Sequence, residues 1–594
     1  MTNMEALKVL CKDYPSLNSS SKKPCLEHKL SKHGTHFSRH SLRLYHPGRN
    51  SANFLALRAT NSHVAMKERN GSVNEHSLYK GLGILDFLEA KNILVTGATG
   101  FLAKVVIEKI LRTQPKVGKL FLIIKAKDSE AAFQRMKNEI ICSELFRHLR
   151  GIYGRQFEEF VLTKLVPVAG DVSLDNLGIQ VDVAENLARH VQIILNSAAI
   201  TSFDARYDVA LETNTRGPSR LMEFGKSCRQ LQLFLHVSTA YVNGQREGRV
   251  VEKPFKMEEN LAKGLEDAAA LNILNEIELA KINLTFHQTR LLESKSSKAI
   301  NDDGISQTMK DMALERARTY GWNDVYVFSK AMGEMLLDQN RGEIPLAIVR
   351  PSVIEGTYSD PFPGWIEGLR MVDPIIAYYA KGQLSALIAD PNVAFDIVPV
   401  DMVANAILAV MAKHAGKSGL EVYQMASSAA NPIFMGELFG MFHQYFRAHP
   451  YVDVRGKTIK AKDSLKLFGN MEDLSSHSIN MSLNVNGHPF VQMEKQERIA
   501  MKVRARVNRQ IGRIYQSYLT CKARFDNSNT NKLFQELSQE EREIFGFDVN
   551  RIDWNDYIMN VHIPGLLENV MMKRRSKAIE QERNPAAVPL LVIS

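Results

Sequence analysis

The chain is 594 residues long, 45% hydrophobic and 24% charged, a globular composition spread over more sequence than one hydrophobic core organises, so more than one domain is expected. Its formal charge of +10 is uneven: residues 1–80 carry 13 Lys/Arg against 5 Asp/Glu, a balance of +8, which leaves +2 for the body and removes the general argument for nucleic-acid binding. The five cysteines (Cys11, Cys25, Cys142, Cys228, Cys521) form no CxxC pair and no metal-ligand spacing, which points to a reduced compartment and no structural metal; no apolar run reaches the ~18 residues of a membrane span, so at most a peripheral membrane contact is expected.

Residues 1–80 differ from the rest. Between His28 and Lys67 there is no acidic residue, while Ser, His, Arg and Lys are frequent and hydrophobic periodicity is absent. This is the composition of an organelle transit peptide, although a disordered basic tail would read the same way and Glu5 and Asp13 come early for an import signal. No apolar segment follows the start, so a secretory signal is not expected.

From residue 91 short apolar runs alternate with helical stretches. The segment "NILVTGATGFLAKVVIEKIL" reads as strand, turn and helix: Ile93 to Val95 are apolar throughout, and Leu102, Val106, Lys109 and Ile110 recur at helical spacing. In the turn, Gly97 permits a tight exit from the strand, Gly100 lets backbone N–H groups approach a pyrophosphate, and Ala103 is small enough for the helix to pack closely. Thr96, Gly97, Thr99, Gly100, Phe101 and Leu102 therefore form the candidate dinucleotide cradle. Apolar runs follow at 119–124, 164–171, 191–199, 231–241 and 344–352, each after a stretch of helical character. That rhythm predicts an α/β fold, a doubly wound parallel sheet covered on both faces.

The second run ends "IIKAKD". Lys125 and Lys127 stand where a ribose 2′-phosphate would lie, which favours NADPH. Asp128 leaves NAD open, since a register shift of a few residues would put a carboxylate there, and lysines at a strand end are often only solvated. Asp171, after the third run, is placed either to meet an adenine or to cap the strand end.

In "DVYVFSKAMGE" Tyr326 and Lys330 stand four apart, on one face of a helix that lies between a strand ending "HVSTAY" and one ending "VRPS". The same spacing at Tyr518 and Lys522 has no such strand before it and reads as a chance match. An ammonium beside the phenol would lower its pKa from about 10 toward neutrality. Tyr326 is then the proton donor to an oxygen that gains charge as hydride reaches its carbon, and the Thr239 hydroxyl would hydrogen-bond the same oxygen. Ser238 takes that role if the register slips by one, and without Tyr326 and Lys330 the "VSTAY" stretch would read as an ordinary half-buried strand end. None of the cysteines sits beside a histidine in a nucleophile motif.

Two further segments exceed what a dinucleotide fold needs: an insertion of about 70 residues, roughly 250–320, and a mostly helical C-terminal domain over 431–594, following a dinucleotide-binding domain over 81–430. In "MKVRARVNRQIGRIY" Lys502, Arg506, Arg509 and Arg513 recur beside Val503, Val507, Ile511 and Ile514. This is either the solvated face of a packed helix or a receiver for an acidic acyl carrier protein or an anionic membrane.

The motifs "TGATGFLAK", "NSAA", "NTRGP", "LFLHVSTAYVNGQREG", "YVFSKAMGE", "RPSVIEGTYSDPFPGWIEG" and "DIVPVDMVANA" together resemble the extended short-chain dehydrogenase/reductases, and among them the alcohol-forming fatty acyl reductases of plants. "ARFDNSNT" and "FGFDVNRIDWNDYIMNVHIPGL" resemble that family's C-terminal male-sterility domain, so the likeness covers roughly residues 81–572, and the long basic leader is similar to that of its plastid-targeted, pollen-wall member. The resemblance implies NADPH-dependent reduction of a fatty acyl thioester, on CoA or acyl carrier protein, through an aldehyde to a primary alcohol in a plastid. It also implies a supporting role for Asn214 in a proton relay, a cofactor-lining run at Asn196, Ser197 and Ala198, and a strand end near the nicotinamide at Arg350 and Pro351. A small-ligand epimerase or carbonyl reductase of the same superfamily, or a non-catalytic redox sensor, would share the sheet. The insertion and C-terminal segment argue against the first, and the intact acid, lysine and hydroxyl against the second.

Overall fold

The computed structural model describes residues 81–262, 270–293, 302–453, 456–461, 463–485, 488–489 and 495–572; the leader reading of residues 1–80 lies outside them. Elements are labelled here in chain order as they are introduced. Strands β1 (Ile93–Thr96), β2 (Leu120–Ile124), β3 (Leu165–Ala169), β4 (Ile193–Asn196), β5 (Leu233–Val237), β6 (Leu346–Pro351) and β7 (Leu420–Met425) form one sheet in the order 3-2-1-4-5-6-7. Every pair in it is parallel. Such a sheet has no wet face, which is why β1, β2 and β4 are buried at every residue and read as unbroken apolar runs. The order reverses between β1 and β4, opening a crevice beyond their C-terminal ends.

The first six strands fall where the apolar runs predict them. The seventh was not legible in the sequence, because Glu421 and Gln424 break its apolar run. It is an edge strand, and Gln424 there binds across to other segments: its amide donates to the carbonyls of Val250 (2.9 Å) and Asp526 (2.7 Å) and accepts from Asn243 (3.2 Å).

Helix α1 (Phe101–Thr113) follows β1 and is buried from Phe101 through Leu111, with helix α3 (Val400–His414) packed against it. A helix covered all round must pair its charges. Lys104 meets Glu367 at 2.5 Å, Lys109 meets Asp360 at 2.5 Å, and Arg112 meets Glu108 at 3.0 Å. The insertion contributes helices Ile273–Glu293 and Asp302–Thr319, which close over an aromatic cluster of Tyr207, Phe255, Trp322 and Phe328 on helix α2 (Val325–Asn340). Glu276 there is buried, and Tyr207 (2.7 Å) and Arg316 (2.5 Å) satisfy its carboxylate.

Beyond β7 helices predominate, the longest being α4 (Lys495–Leu519). This part is threaded into the rest. Strand Ala523–Phe525 pairs in parallel with Gly248–Val250, and Glu541 accepts from the backbone N–H groups of Leu82 and Ile84 at 2.9 Å each, pinning the start of the body. His562 reaches between Glu355 (3.7 Å) and Asp373 (3.1 Å), all three buried. Their ligand-type atoms lie within 4.8 Å of one another, a grouping that no sequence spacing suggested. Attraction between His562 and the two acidic side chains accounts for it. Burial, reinforced by Asp373, pushes Glu355 up to about 8. Burial opposes the charge on His562, but Asp373 and Glu355 outweigh it and hold its pKa above the ordinary value.

Both groups are raised in the folded state, so the signs agree. His562's contribution is complete below its unfolded pKa and lost as pH rises through the folded one, while the burial of Glu355 becomes costly as pH climbs from its unfolded value toward about 8. The melting temperature of Glu355→Gln relative to the unsubstituted protein is therefore expected to swing in the variant's favour between about pH 5 and pH 9. A difference independent of pH in thermal melts would refute this reading of the cluster.

Candidate active site

The site is built on the C-terminal ends of β1, β4 and β5. At the end of β1 the backbone turns at Gly97 with φ +66°, and a Cβ there would lie 2.8 Å from backbone atoms of Ser197 and Ala198 as the chain leaves β4. Only glycine satisfies both the left-handed backbone and that approach. Gly100 caps α1 without any side-chain bond, so the first-turn N–H groups of the helix lack an intrahelical acceptor, the condition that favours an anion. Thr99 is half-buried in this turn. The side chains of Phe101 and Leu102 turn into the core, Phe101 stacking on Trp365 at 5.3 Å, so their part in the cradle is confined to backbone.

Thr96, Asn196, Ser197 and Ala198 are brought together by the β1–β4 pairing. The Thr96 hydroxyl donates to Asn196 Oδ1 at 2.7 Å and accepts from the Ala198 N–H at 3.1 Å. At the end of β2, Lys125 and Lys127 are exposed; Lys125 reaches Asp171 at 2.7 Å and Lys127 reaches Asp128 at 3.6 Å. Asp128 accepts from Ala131 N at 2.7 Å and so caps helix Ser129–Met136. Asp171 acts as the strand-end cap, accepting from the N–H and hydroxyl of Ser173. Burial opposes its charge, but Lys125 and Ser173 keep its pKa below the ordinary value.

Tyr326 stands in the first turn of α2, whose N-cap Asp324 accepts from Val327 N at 3.1 Å, and Lys330 follows one turn later. The Lys330 amine is directed at β5, donating to the Val237 carbonyl at 2.6 Å and lying 3.2 Å from His236 Nε2. This corrects the expected electrostatics. Burial, and then the nearby Asp324 carboxylate, raise the Tyr326 phenol above its ordinary value, and burial lowers Lys330 to about 8. Desolvation, and not the neighbouring charge that the helical spacing suggested, sets the direction of both shifts.

At the end of β5, Ser238 presents a buried hydroxyl with no protein partner. Thr239 caps the turn Ala240–Asn243, its hydroxyl accepting from Tyr241 N at 3.3 Å. Asn214 donates to the Ile200 carbonyl (2.9 Å) and the Ser329 hydroxyl (3.0 Å) and accepts from Ile200 N (2.9 Å), tying the segment after β4 to α2. Arg350 departs from expectation. Its guanidinium is fully buried, bonded to Glu334 at 2.5 and 3.0 Å and to the Lys253 carbonyl at 3.0 Å, which leaves it a support of α2 instead of a cofactor ligand. Pro351 is buried beside it at the end of β6.

Three contributors escaped the sequence reading. His236 is buried in β5, where a polar residue inside a doubly covered strand was the available signal. Asp324 sits just before α2 in the manner of an N-cap. Tyr518, dismissed with Lys522 as a chance spacing, arrives from α4: its hydroxyl donates to Asp324 at 2.5 Å, and its ring lies 4.9 Å from Phe203 and 5.0 Å from Tyr241, with Phe203 in turn 6.4 Å from Tyr326. Lys522 has no part in this; the Tyr518 contact depends on tertiary folding that no local pattern encodes. A phenol, two hydroxyls and a buried amine thus gather beside a dinucleotide turn, a set able to protonate and hold an oxygen.

Two family profiles, each described as "Male sterility protein", match residues 95–407 and 490–573, the first of them a dinucleotide-binding type. The chain is 46% identical over 511 residues to fatty acyl-CoA reductase 2, chloroplastic, of Arabidopsis thaliana, covering 83% of this chain and 80% of that protein. It is 38% identical over 501 residues to the alcohol-forming fatty acyl-CoA reductase of Simmondsia chinensis, covering 82% and 99%. Among solved structures, the terminal R domain from the myxalamid PKS-NRPS biosynthetic pathway aligns with a TM-score of 0.50 at 15% identity, covering 82% of this chain and 92% of that one, which speaks to the fold alone.

Gly97→Ala tests the turn. Gly342 also has positive φ, +59°, but meets nothing within 4 Å of an added Cβ, so Gly342→Ala incurs only the left-handed penalty of about 1–2 kcal/mol. Gly97→Ala is expected to lose more stability than that and to weaken dinucleotide binding by about tenfold or more, measured by denaturant melts and fluorescence titration. Equal losses at the two positions would show that the close approach to Ser197 and Ala198 is not made.

Proposed function

Because the chain belongs to the male-sterility family of fatty acyl-CoA reductases, a family of NAD(P)-binding oxidoreductases, we propose that it reduces a long-chain fatty acyl thioester, through an aldehyde, to a primary fatty alcohol with NADPH. The observation that supports this is that Lys330 of α2, the helix that also carries Tyr326, hydrogen-bonds the end of β5 just before Ser238 and Thr239, at the rim of the sheet that also bears the Gly97 turn. The residues present suit the cofactor. The Gly97 turn leads into first-turn N–H groups of α1 that lack an intrahelical acceptor and suit a pyrophosphate, and Lys125 stands exposed at the end of β2 for a 2′-phosphate, with Asp128 committed to a helix cap.

NADPH, when bound, supplies the hydride. The protein manages the oxygen. Tyr326, held in its acid form by burial, gives a proton to the oxygen that gains charge, while Thr239 or the unpartnered Ser238 hydroxyl hydrogen-bonds it. One hydride and one proton convert the thioester carbonyl to a hemithioacetal, whose C–S bond breaks to release thiol and leave an aldehyde. A second hydride and proton give the alcohol. The phenolate left behind regains its proton from solvent, Lys330 anchors α2 to β5, and Asn214 keeps α2 in register with the segment after β4. No helix among the described residues is long and apolar enough to cross a membrane.

The chloroplastic relative and the acid-poor composition of residues 1–80 support a plastid location, where an acyl carrier protein can present the substrate and the alcohol can feed lipid barriers such as the pollen wall. The α4 face suits such an acidic carrier: Lys502, Arg506 and Arg513 are exposed while Val507, Ile511 and Ile514 are buried.

Tyr326→Phe is expected to lower alcohol formation by about 10²–10⁴-fold while NADPH still binds. Product analysis after incubation with NADPH and acyl-CoA or acyl carrier protein would reject the assignment if the rate were unchanged. Charge reversal at Arg506, Arg509 and Arg513 should raise KM for carrier-bound substrate by about tenfold and leave a small aldehyde unaffected. Equal effects on both substrates would remove the carrier from the picture.

A further inference from the structure

We propose that His236 is a positioning residue that couples the charge state of Lys330 to the dinucleotide turn through a directional chain of hydrogen bonds. The inference rests on the reading of Lys330 as part of the reductase site. The chain begins at a group that can only donate, the Ala198 N–H, which donates to Thr96 Oγ at 3.1 Å. The Thr96 hydroxyl donates to Asn196 Oδ1 at 2.7 Å, and Asn196 Nδ2 stands 3.0 Å from His236 Nδ1. An amide N–H at Nδ1 makes that nitrogen the acceptor and places the ring proton on Nε2, which faces Lys330 Nζ at 3.2 Å.

An ammonium has no lone pair with which to accept that proton. In this polarity Lys330 is an amine, accepting from His236 and donating to the Val237 carbonyl at 2.6 Å. Charging Lys330 requires every link beyond the Ala198 N–H to reverse. The ring proton moves to Nδ1, the Asn196 amide turns its oxygen to the imidazole, and the Thr96 hydroxyl, now accepting from that amide, loses its own acceptor at the residue preceding Gly97. Burial independently favours the uncharged forms, holding His236 well below its ordinary pKa and Lys330 at about 8. The charged or titratable groups that bear on Lys330 are Glu334 from its own helix and His236 from β5, while Arg350 from β6 acts on His236 and is bound to Glu334. Glu334 and Arg350 form a closed pair, so the imidazole is the partner left to set the amine.

The test uses the full chain with NADPH as probe. Its dissociation constant is followed by fluorescence between about pH 6 and pH 10, together with the pH profile of kcat/KM for acyl-CoA and the melting temperature. His236→Leu, which removes the donor facing Lys330, is expected to move the midpoint assigned to Lys330 upward by about one pH unit, the scale of one buried hydrogen bond. His236→Gln, whose amide keeps both an acceptor and a donor, should restore it to near the original position. Thr96→Val cuts the far end of the chain and should move the midpoint in the same direction, which decides the matter if the leucine variant does not fold. An unmoved or lowered midpoint in a folded variant, or equal shifts for leucine and glutamine, would overturn the proposal. The binding midpoint is read without turnover, so a protein that binds NADPH but forms no alcohol would count against the proposed activity and leave this inference separately judged.

Discussion

A primary amine almost wholly withdrawn from water must be satisfied by the protein around it, and Lys330 is in that position at the junction of α2 and β5. The rest of the site follows from that requirement. The strand ends have to supply polar partners where an apolar sheet would otherwise stop, and they do so with Thr96, Asn196 and His236, one from each of three adjacent strands. The sheet is thus apolar along its length and polar at one rim, and that rim is the crevice where the strand order reverses.

The C-terminal region is a component of this rim. Tyr518 satisfies the cap of α2, Glu252 binds the backbone of Gln424 and the hydroxyl of Thr530, and Arg524 reaches the Ser428 carbonyl at 3.1 Å. Burial raises Asp324 to about 6 and Glu252 to about 7, so both carboxylates joining the two parts are held by hydrogen bonds instead of by water. A polar seam of this kind is costly to open, because each separated group would be stranded in apolar surroundings.

The sequence revealed what depends on local pattern. Doubly buried strands announce themselves as apolar runs, a Gly97 turn announces itself by position, and the Tyr326–Lys330 spacing survives as one helix face. It concealed what depends on distant neighbours. The edge strand at Leu420–Met425 carries polar residues because the C-terminal segment covers it, and Arg350 stands at a plausible strand end yet is claimed by Glu334 one helix away. The sign of the Tyr326 shift was misjudged for the same reason: spacing reports which charge is near, while burial is a property of the finished fold.

The clasp of Glu541 on the backbone of Leu82 and Ile84 joins the C-terminal region to the beginning of the described chain, 459 residues away at Leu82. A chain shortened past Ile84 would strand a buried carboxylate without two of its backbone donors, so the opening helix and the last helices must be completed together.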